Sequence, residues 1–260
     1  MTVVTGDRGG PGRIAFRQRA ILAGRYGGYR SGLRPGAARK VVIMTLRPNQ
    51  INRHRERSRE ERADLDAVLD AGPHVGTLST VADGRPWVVP MLYGRAGDRI
   101  LLHGSVGAGA LRHVAAGAPA ALCVTHIDAW VYAHTLFDSS ANYRSAVVHG
   151  RLIALSGDEA AQALTQISEC LTPGRSAEVP FHTRKQLAAT TALAMDITAG
   201  EWTVKIRDAG PGEPEPGEAE PGLWTGILPI TSGYGIPQTS AHVPADTPVS
   251  PSVLKVLGQG

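Results

Sequence analysis

Gly84-Arg85-Pro86-Trp87-Val88-Val89-Pro90-Met91-Leu92-Tyr93 decides the fold, together with what flanks it. Val88, Pro90 and Leu92 share one face of an extended strand, and Trp87, Val89, Met91 and Tyr93 share the other. Ahead of this run, Asp83-Gly84 favours a tight hairpin back to an apolar stretch at His74–Val81. Behind it, a turn at Ala96-Gly97-Asp98 leads to Arg99–His103. Three strands joined by short turns predict an antiparallel meander and argue against alternating βαβ units. Pro90 inside a strand predicts an edge or a local break in the ladder, because proline has no N–H to give.

Working outward, Leu101-Leu102-His103-Gly104-Ser105 runs into Val106-Gly107-Ala108-Gly109-Ala110-Leu111-Arg112. This reads as a strand end followed by a helix over 107–116, expected to connect adjacent strands. Unpaired amides and the positive dipole end at a helix start attract a phosphate. The amides of 106–109 and the Ser105 hydroxyl are candidate donors, with Gly107 and Gly109 permitting close approach. The G-x-x-x-x-G spacing of Gly104–Gly109 lacks the Lys-Ser/Thr of a P-loop, and no G-x-G-x-x-G is present. Two long strands, 120–135 and 143–155, follow, the second opened by Asn142-Tyr143-Arg144-Ser145. Arg144 at a strand start can pair with a phosphate in a bidentate fork. Asn142 is a candidate partner for a ribityl hydroxyl or a ring heteroatom.

The remaining elements are helical at 51–71, with an apolar stripe of Leu65, Val68 and Leu69, and at 158–171 and 183–191. Closing strands are expected at 192–197 and 202–206. The fold class is therefore mainly β (α+β), an antiparallel barrel with flanking helices. Residues 1–47 read as a disordered basic leader, with Met44 as an alternative start, and 48–207 as the barrel domain. An acidic Pro/Gly linker spans 208–222, a patch expected to pack on the domain spans 223–232, and a disordered tail spans 233–260.

Charge divides the chain. Residues 1–62 hold fifteen Lys/Arg against four Asp/Glu, whereas the rest of the chain is net acidic. The basic balance belongs to the leader, so no nucleic-acid partner is expected for the folded body. No apolar run approaches the ~20 residues needed to span a bilayer, and no membrane partner is expected. Cys123 and Cys170, with no metal-type spacing, read as free thiols in a reducing, cytoplasmic compartment. No H-E-x-x-H, Cys/His cluster or G-x-S-x-G occurs, so no metal site and no catalytic residue is assigned. With so little side-chain chemistry, a borrowed cofactor is the natural source of reactivity.

The segments at 84–93, 101–112 and 142–148 resemble the flavin-nucleotide-binding branch of the pyridoxamine 5′-phosphate oxidase-like split β-barrels. That branch includes nitroimidazole reductases. The resemblance covers roughly residues 48–230. It implies a homodimer binding FMN at the subunit interface and passing electrons from a nicotinamide donor to a small-molecule acceptor. It implies cofactor contacts from Val88, Val89 and Pro90, from Leu102 through Gly107, and from Gly109, Arg112, Asn142, Tyr143 and Arg144. Relatives carry a polar residue and an arginine where this chain has Ala108 and Gly109, and histidines where it has Asp138 and Ser139. Leu223-Trp224-Thr225-Gly226 stands where true pyridoxamine-phosphate oxidases carry an Arg-Leu-His-Asp-Arg-type motif, so vitamin B6 oxidation is not expected. Two alternatives stay open: a deazaflavin-dependent reductase, and a flavin- or haem-binding carrier or sensor without turnover.

Overall fold

Asp83 and Gly84 both take positive φ, 50° and 71°, and turn strand β2 (Val75–Ala82) directly into β3 (Arg85–Ala96). Two left-handed residues in a two-residue loop match the strand twist, which is why Asp-Gly suits this corner. Gly97, at φ 56°, turns β3 into β4 (Arg99–Ser105), completing the expected meander. The computed structural model describes residues 51, 53–217 and 221–258. The chain divides into two units, residues 1–45 and 46–260, and the described residues all belong to the second. The expected leader over 1–47 lies outside them.

The other strands are β1 (Ser58–Arg59), β5 (Pro119–Tyr132), β6 (Ser140–Ala154), β7 (Thr190–Asp196), β8 (Glu201–Arg207) and β9 (Gly226–Pro229). Every pairing is antiparallel. Around the barrel the order is β2, β3, β4, β7, β6 and β5, closed by β5 pairing back onto β2. Closure removes two sheet edges that would otherwise need cover. β8 and β1 extend the sheet beyond β6, and β9 adds to the far end of β5. Within the expected 223–232 patch, Gly226–Pro229 pairs with β5 as a strand.

Three expectations change. Helix α2 (Gly109–Ala115) does not connect adjacent strands, since β4 neighbours β3 and β7 while β5 neighbours β2, β6 and β9. The charged half of the expected 51–71 helix is a 3₁₀ turn at Arg55–Arg57 and the short strand β1, and α1 begins only at Arg62 (Arg62–Asp70). The open backbone edge of β8 captures β1, and tertiary pairing overrides the helix propensity of the Arg/Glu run. The tail at 233–260 carries helix α5 (Pro251–Val256), whose Ser252 is buried and bonded to Glu178 at 2.7 Å through its amide and 2.6 Å through its hydroxyl.

The barrel core gathers Leu78, Ile100, Leu102, Leu122, Val124, Val148, Leu193 and Met195, and α1 adds its Leu65, Val68 and Leu69 stripe. Burying each of those three side chains contributes roughly 1.5–3 kcal/mol. Tyr93 ties α1 in place, its buried hydroxyl donating to the Leu69 carbonyl at 2.7 Å. A second cluster lies outside the barrel, where Ala163, Leu164 and Ile167 of α3 (Gly157–Leu171) cover Leu101, Ala192 and Ala194. α4 (Arg184–Ala189) is closed by a capping box between Thr183 and Gln186.

Candidate functional site

β3 and β4 pair over only four rungs, from Ala96↔Arg99 to Tyr93↔Leu102, and then part. Beyond Tyr93, β3 stays on β2 alone; beyond Leu102, β4 stays on β7 alone. Among the described residues, a gap therefore opens between Val88–Leu92 on one side and His103–Ser105 on the other. The Tyr93 amide donates to the His74 carbonyl at 3.0 Å, which assigns the odd-numbered residues of β3 to hydrogen bonds with β2. Val88, Pro90 and Leu92 consequently turn their backbone polar groups toward the gap. Pro90 loses no ladder bond there, which is how a proline is accommodated in mid-strand. The side chains of Val88 and Leu92 are 59% and 46% exposed, whereas Trp87, Val89 and Met91 pack on the core.

Across the gap, the β4 residues have different jobs. Leu102 is core. A Cβ on Gly104 would meet Leu111 at 2.2 Å, so this glycine makes room for the packing of α2. The His103 side chain faces away from the barrel interior, into a cavity of about 180 Å³ shared with Ser168, His182, Gln186 and Thr190. The amides after Ser105 are less free than the sequence predicts. Val106 donates to the Ala189 carbonyl at 3.3 Å, Gly107 to Ser105 Oγ at 3.3 Å and Ala108 to the Ser105 carbonyl at 3.0 Å. Gly107 and Gly109 have no positive φ, and an added Cβ meets ordinary space at both. Arg112 is exposed on α2.

Asn142 and Arg144 point toward intrachain partners that sequence reasoning missed. Arg144 grips Asp128 through Nε (3.0 and 3.2 Å) and Nη2 (2.8 Å), and this carboxylate holds the guanidinium pKa above its ordinary value. Asp128 is the extra residue of a bulge in β5, between Ile127↔Tyr143 and Ala129↔Asn142, and a bulge re-aims a side chain. An acid inside the apolar run 120–132 was the available signal. Buried Asn142 accepts from Arg207 Nη1, whose guanidinium also reaches the carbonyls of Ala209 and Gly210 at 2.9 and 3.2 Å. Burial pulls the Arg207 pKa down. Tyr143 sits half-buried between them on the outer face. Val88–Pro90 and Leu102–Ser105 thus flank one gap, while Asn142 and Arg144 belong to clips that hold β5, β6 and β8.

Under α1, His74 lies edge-on to Tyr93 with ring centroids 5.3 Å apart. Burial pushes its pKa down, and Asp70 partly opposes that. Among the described residues, no group of three His, Cys, Asp or Glu is placed to hold a metal, and no helix is long and apolar enough to cross a membrane.

The pyridoxamine 5′-phosphate oxidase family model matches residues 61–202. The chain belongs to that family. Its antiparallel barrel with few flanking helices is the family's split barrel. Among solved structures, the FAD and haem binding protein from Mycobacterium smegmatis is 39% identical, covering 77% of this chain and 97% of that one at a TM-score of 0.74. The flavocytochrome Anf3 from Azotobacter vinelandii is 26% identical, covering 80% and 96% at a TM-score of 0.73. No curated protein matches the chain.

Proposed function

We propose that this protein binds a flavin nucleotide beside the β3 edge and serves as a flavin-dependent oxidoreductase for a small molecule. The observation that carries this is the parting of β3 from β4 after Tyr93↔Leu102. A flavin ring has apolar faces and an edge of alternating donors and acceptors. The β3 edge offers the amides of Val88 and Leu92 and the carbonyl of Pro90, beside exposed Val88 and Leu92 side chains. Ser105, the Gly109 amide and Arg112 are the proposed phosphate contacts. When bound, the flavin would supply hydride and electron transfer. The chain's own residues would hold the ring, shield it from water and set its orientation.

The outward positions of β2 and β3, from Val75 to Val81 and from Pro86 to Leu92, carry no charged side chain. We read this face as the interface of a homodimer that completes the flavin site, with a nicotinamide as electron donor. The 39% identical relative is described as binding FAD, so FAD stands beside FMN as the flavin. A second reading is a flavin- or haem-binding carrier or sensor without turnover. Two similar structures favour it, one described as an FAD and haem binding protein and the other as a flavocytochrome.

The test is an absorbance spectrum of protein from its native host, followed by chromatography of the heat-released cofactor. Bands near about 370 and 450 nm identify a flavin, one band at roughly 400–420 nm a deazaflavin, and a sharp Soret band haem. Chromatography separates FMN from FAD. Reduction of the bound chromophore by a nicotinamide separates the enzyme from the carrier. A colourless protein that leaves the fluorescence of added FMN and FAD unquenched would sink the proposal.

A further inference from the structure

The segment after β9 is held at both ends by its own chain and, among the described residues, hydrogen-bonds only to itself in between. At one end β9 pairs with β5, and the Ile230 amide donates to the Asp128 carbonyl at 2.9 Å. At the other, Ser252 is bonded to Glu178, and Arg175 donates to Ser250 Oγ at 3.3 Å. Every residue from Thr231 to Val249 is exposed, Tyr234 and Ile236 at 71% and 91%. The segment's hydrogen bonds are local ones at Ser240 and Pro244. Residues 221–245 contain no Asp, Glu, Lys or Arg. An exposed, uncharged segment bearing large apolar side chains is poorly suited to water, and depletion of charge is a mark of an interface core.

We propose that residues 231–249 form a clasp that closes over a second copy of this chain. Tyr234 and Ile236 would seat on that copy's uncharged outer face of β2 and β3. Both halves of the contact occur on one chain, the exposed apolar clasp and an exposed apolar face at Val75, Val81, Val88 and Leu92. A two-fold dimer uses such a pair twice, each copy giving one clasp and receiving one. A lipid surface is the less fitting occupant, because membrane-surface segments combine apolar residues with Lys and Arg, which 221–245 lack. The clasp deepens the homodimer proposed above and does not depend on the flavin assignment.

The experiment is analytical ultracentrifugation of the full chain over a concentration series, for the unaltered protein and for Tyr234→Asp/Ile236→Asp. Both positions are exposed within one chain, so the variant should keep the unaltered protein's far-ultraviolet circular dichroism spectrum and a cooperative thermal transition, confirming that it folds. Its midpoint should be lowered only by the lost assembly. The clasp requires the unaltered protein to be dimeric and the double variant to dissociate at least tenfold more readily. Ile236→Cys gives a second reading. A short bis-maleimide should join it to Cys123, which lies next to β2 on the outer face, in a covalent dimer. An unaltered protein that stays monomeric, or equal dissociation constants for the two proteins, would overturn the proposal. So would a monomer that floats with phosphatidylcholine/phosphatidylglycerol vesicles. Equal dissociation constants in a dimeric protein overturn the clasp alone and leave the flavin reading standing. A monomeric unaltered protein also removes the subunit interface proposed to complete the flavin site. Loss of the flavin reading leaves the sedimentation result untouched.

Discussion

The Arg144 guanidinium and the Asp128 carboxylate form a three-bond clip across the bulge in β5, closing to 2.8 Å at Nη2. Each partner is a little over a third exposed, so solvent screens much of the attraction. A double-mutant cycle of Arg144→Ala and Asp128→Ala should return a coupling of about 0.5–1 kcal/mol. With the fork committed to Asp128, Arg144→Ala should change FMN and riboflavin affinities to a similar extent. A loss of roughly tenfold confined to FMN would mean that Arg144 leaves Asp128 to hold the phosphate.

Gly94→Ala tests the seat of α3. A Cβ there would lie 2.8 Å from the Ile167 Cα, and a helix backbone cannot yield as a side-chain tip can. Overpacking of this kind costs about 1–3 kcal/mol, which chemical denaturation should register as a lower midpoint. An unchanged midpoint would show that α3 rides loosely on the barrel. Gly97→Ala is a useful contrast: open space surrounds it, and its cost would come from φ 56° alone.

His74 should make the fold acid-sensitive. Burial lowers its folded-state pKa below the ordinary imidazole value near 6.5. The unfolded chain therefore binds the proton more readily. The contribution is present above about pH 6.5 and is lost as the pH falls through the depressed folded value. Asp70 opposes the shift, and His126 and Arg95 reinforce it. The thermal midpoint should drop between pH 7 and 5, and His74→Phe should flatten that slope. A parallel profile in the variant would assign the acid sensitivity to other groups.

Glu178 should keep α5 docked well into acid. Hydrogen bonds from the Ser252 hydroxyl and amide hold its carboxyl at a pKa of about 2. The attachment is complete above the ordinary carboxylate range and weakens only as the pH falls toward that value. Glu178→Ala should raise amide exchange at residues 250–257 at neutral pH and leave the barrel strands protected. Equal protection in the variant would mean that α5 is held without Glu178, with the Arg175–Ser250 bond as the remaining polar tie.

The sequence by itself determined the strands β2 to β8, the Asp83-Gly84 corner, the α1 and α3 stripes and the edge character implied by Pro90, but neither β1 nor β9. All of these are set by alternation, turn chemistry and a missing N–H within a few neighbouring residues. Which strand lies beside which was decided only by the tertiary structure. Nothing local tells β4 to leave β3 after Tyr93↔Leu102 and continue on β7, or sends α2 across to a strand that is not its neighbour. The same holds for the candidate site. Gly104 looks like a ligand-facing glycine until Leu111 is seen to need its space, and Arg144 looks like a free phosphate grip until the bulge delivers Asp128 to it. Strand periodicity is written in adjacent residues, whereas the partner of a polar side chain is set by a register that many weak contacts decide together.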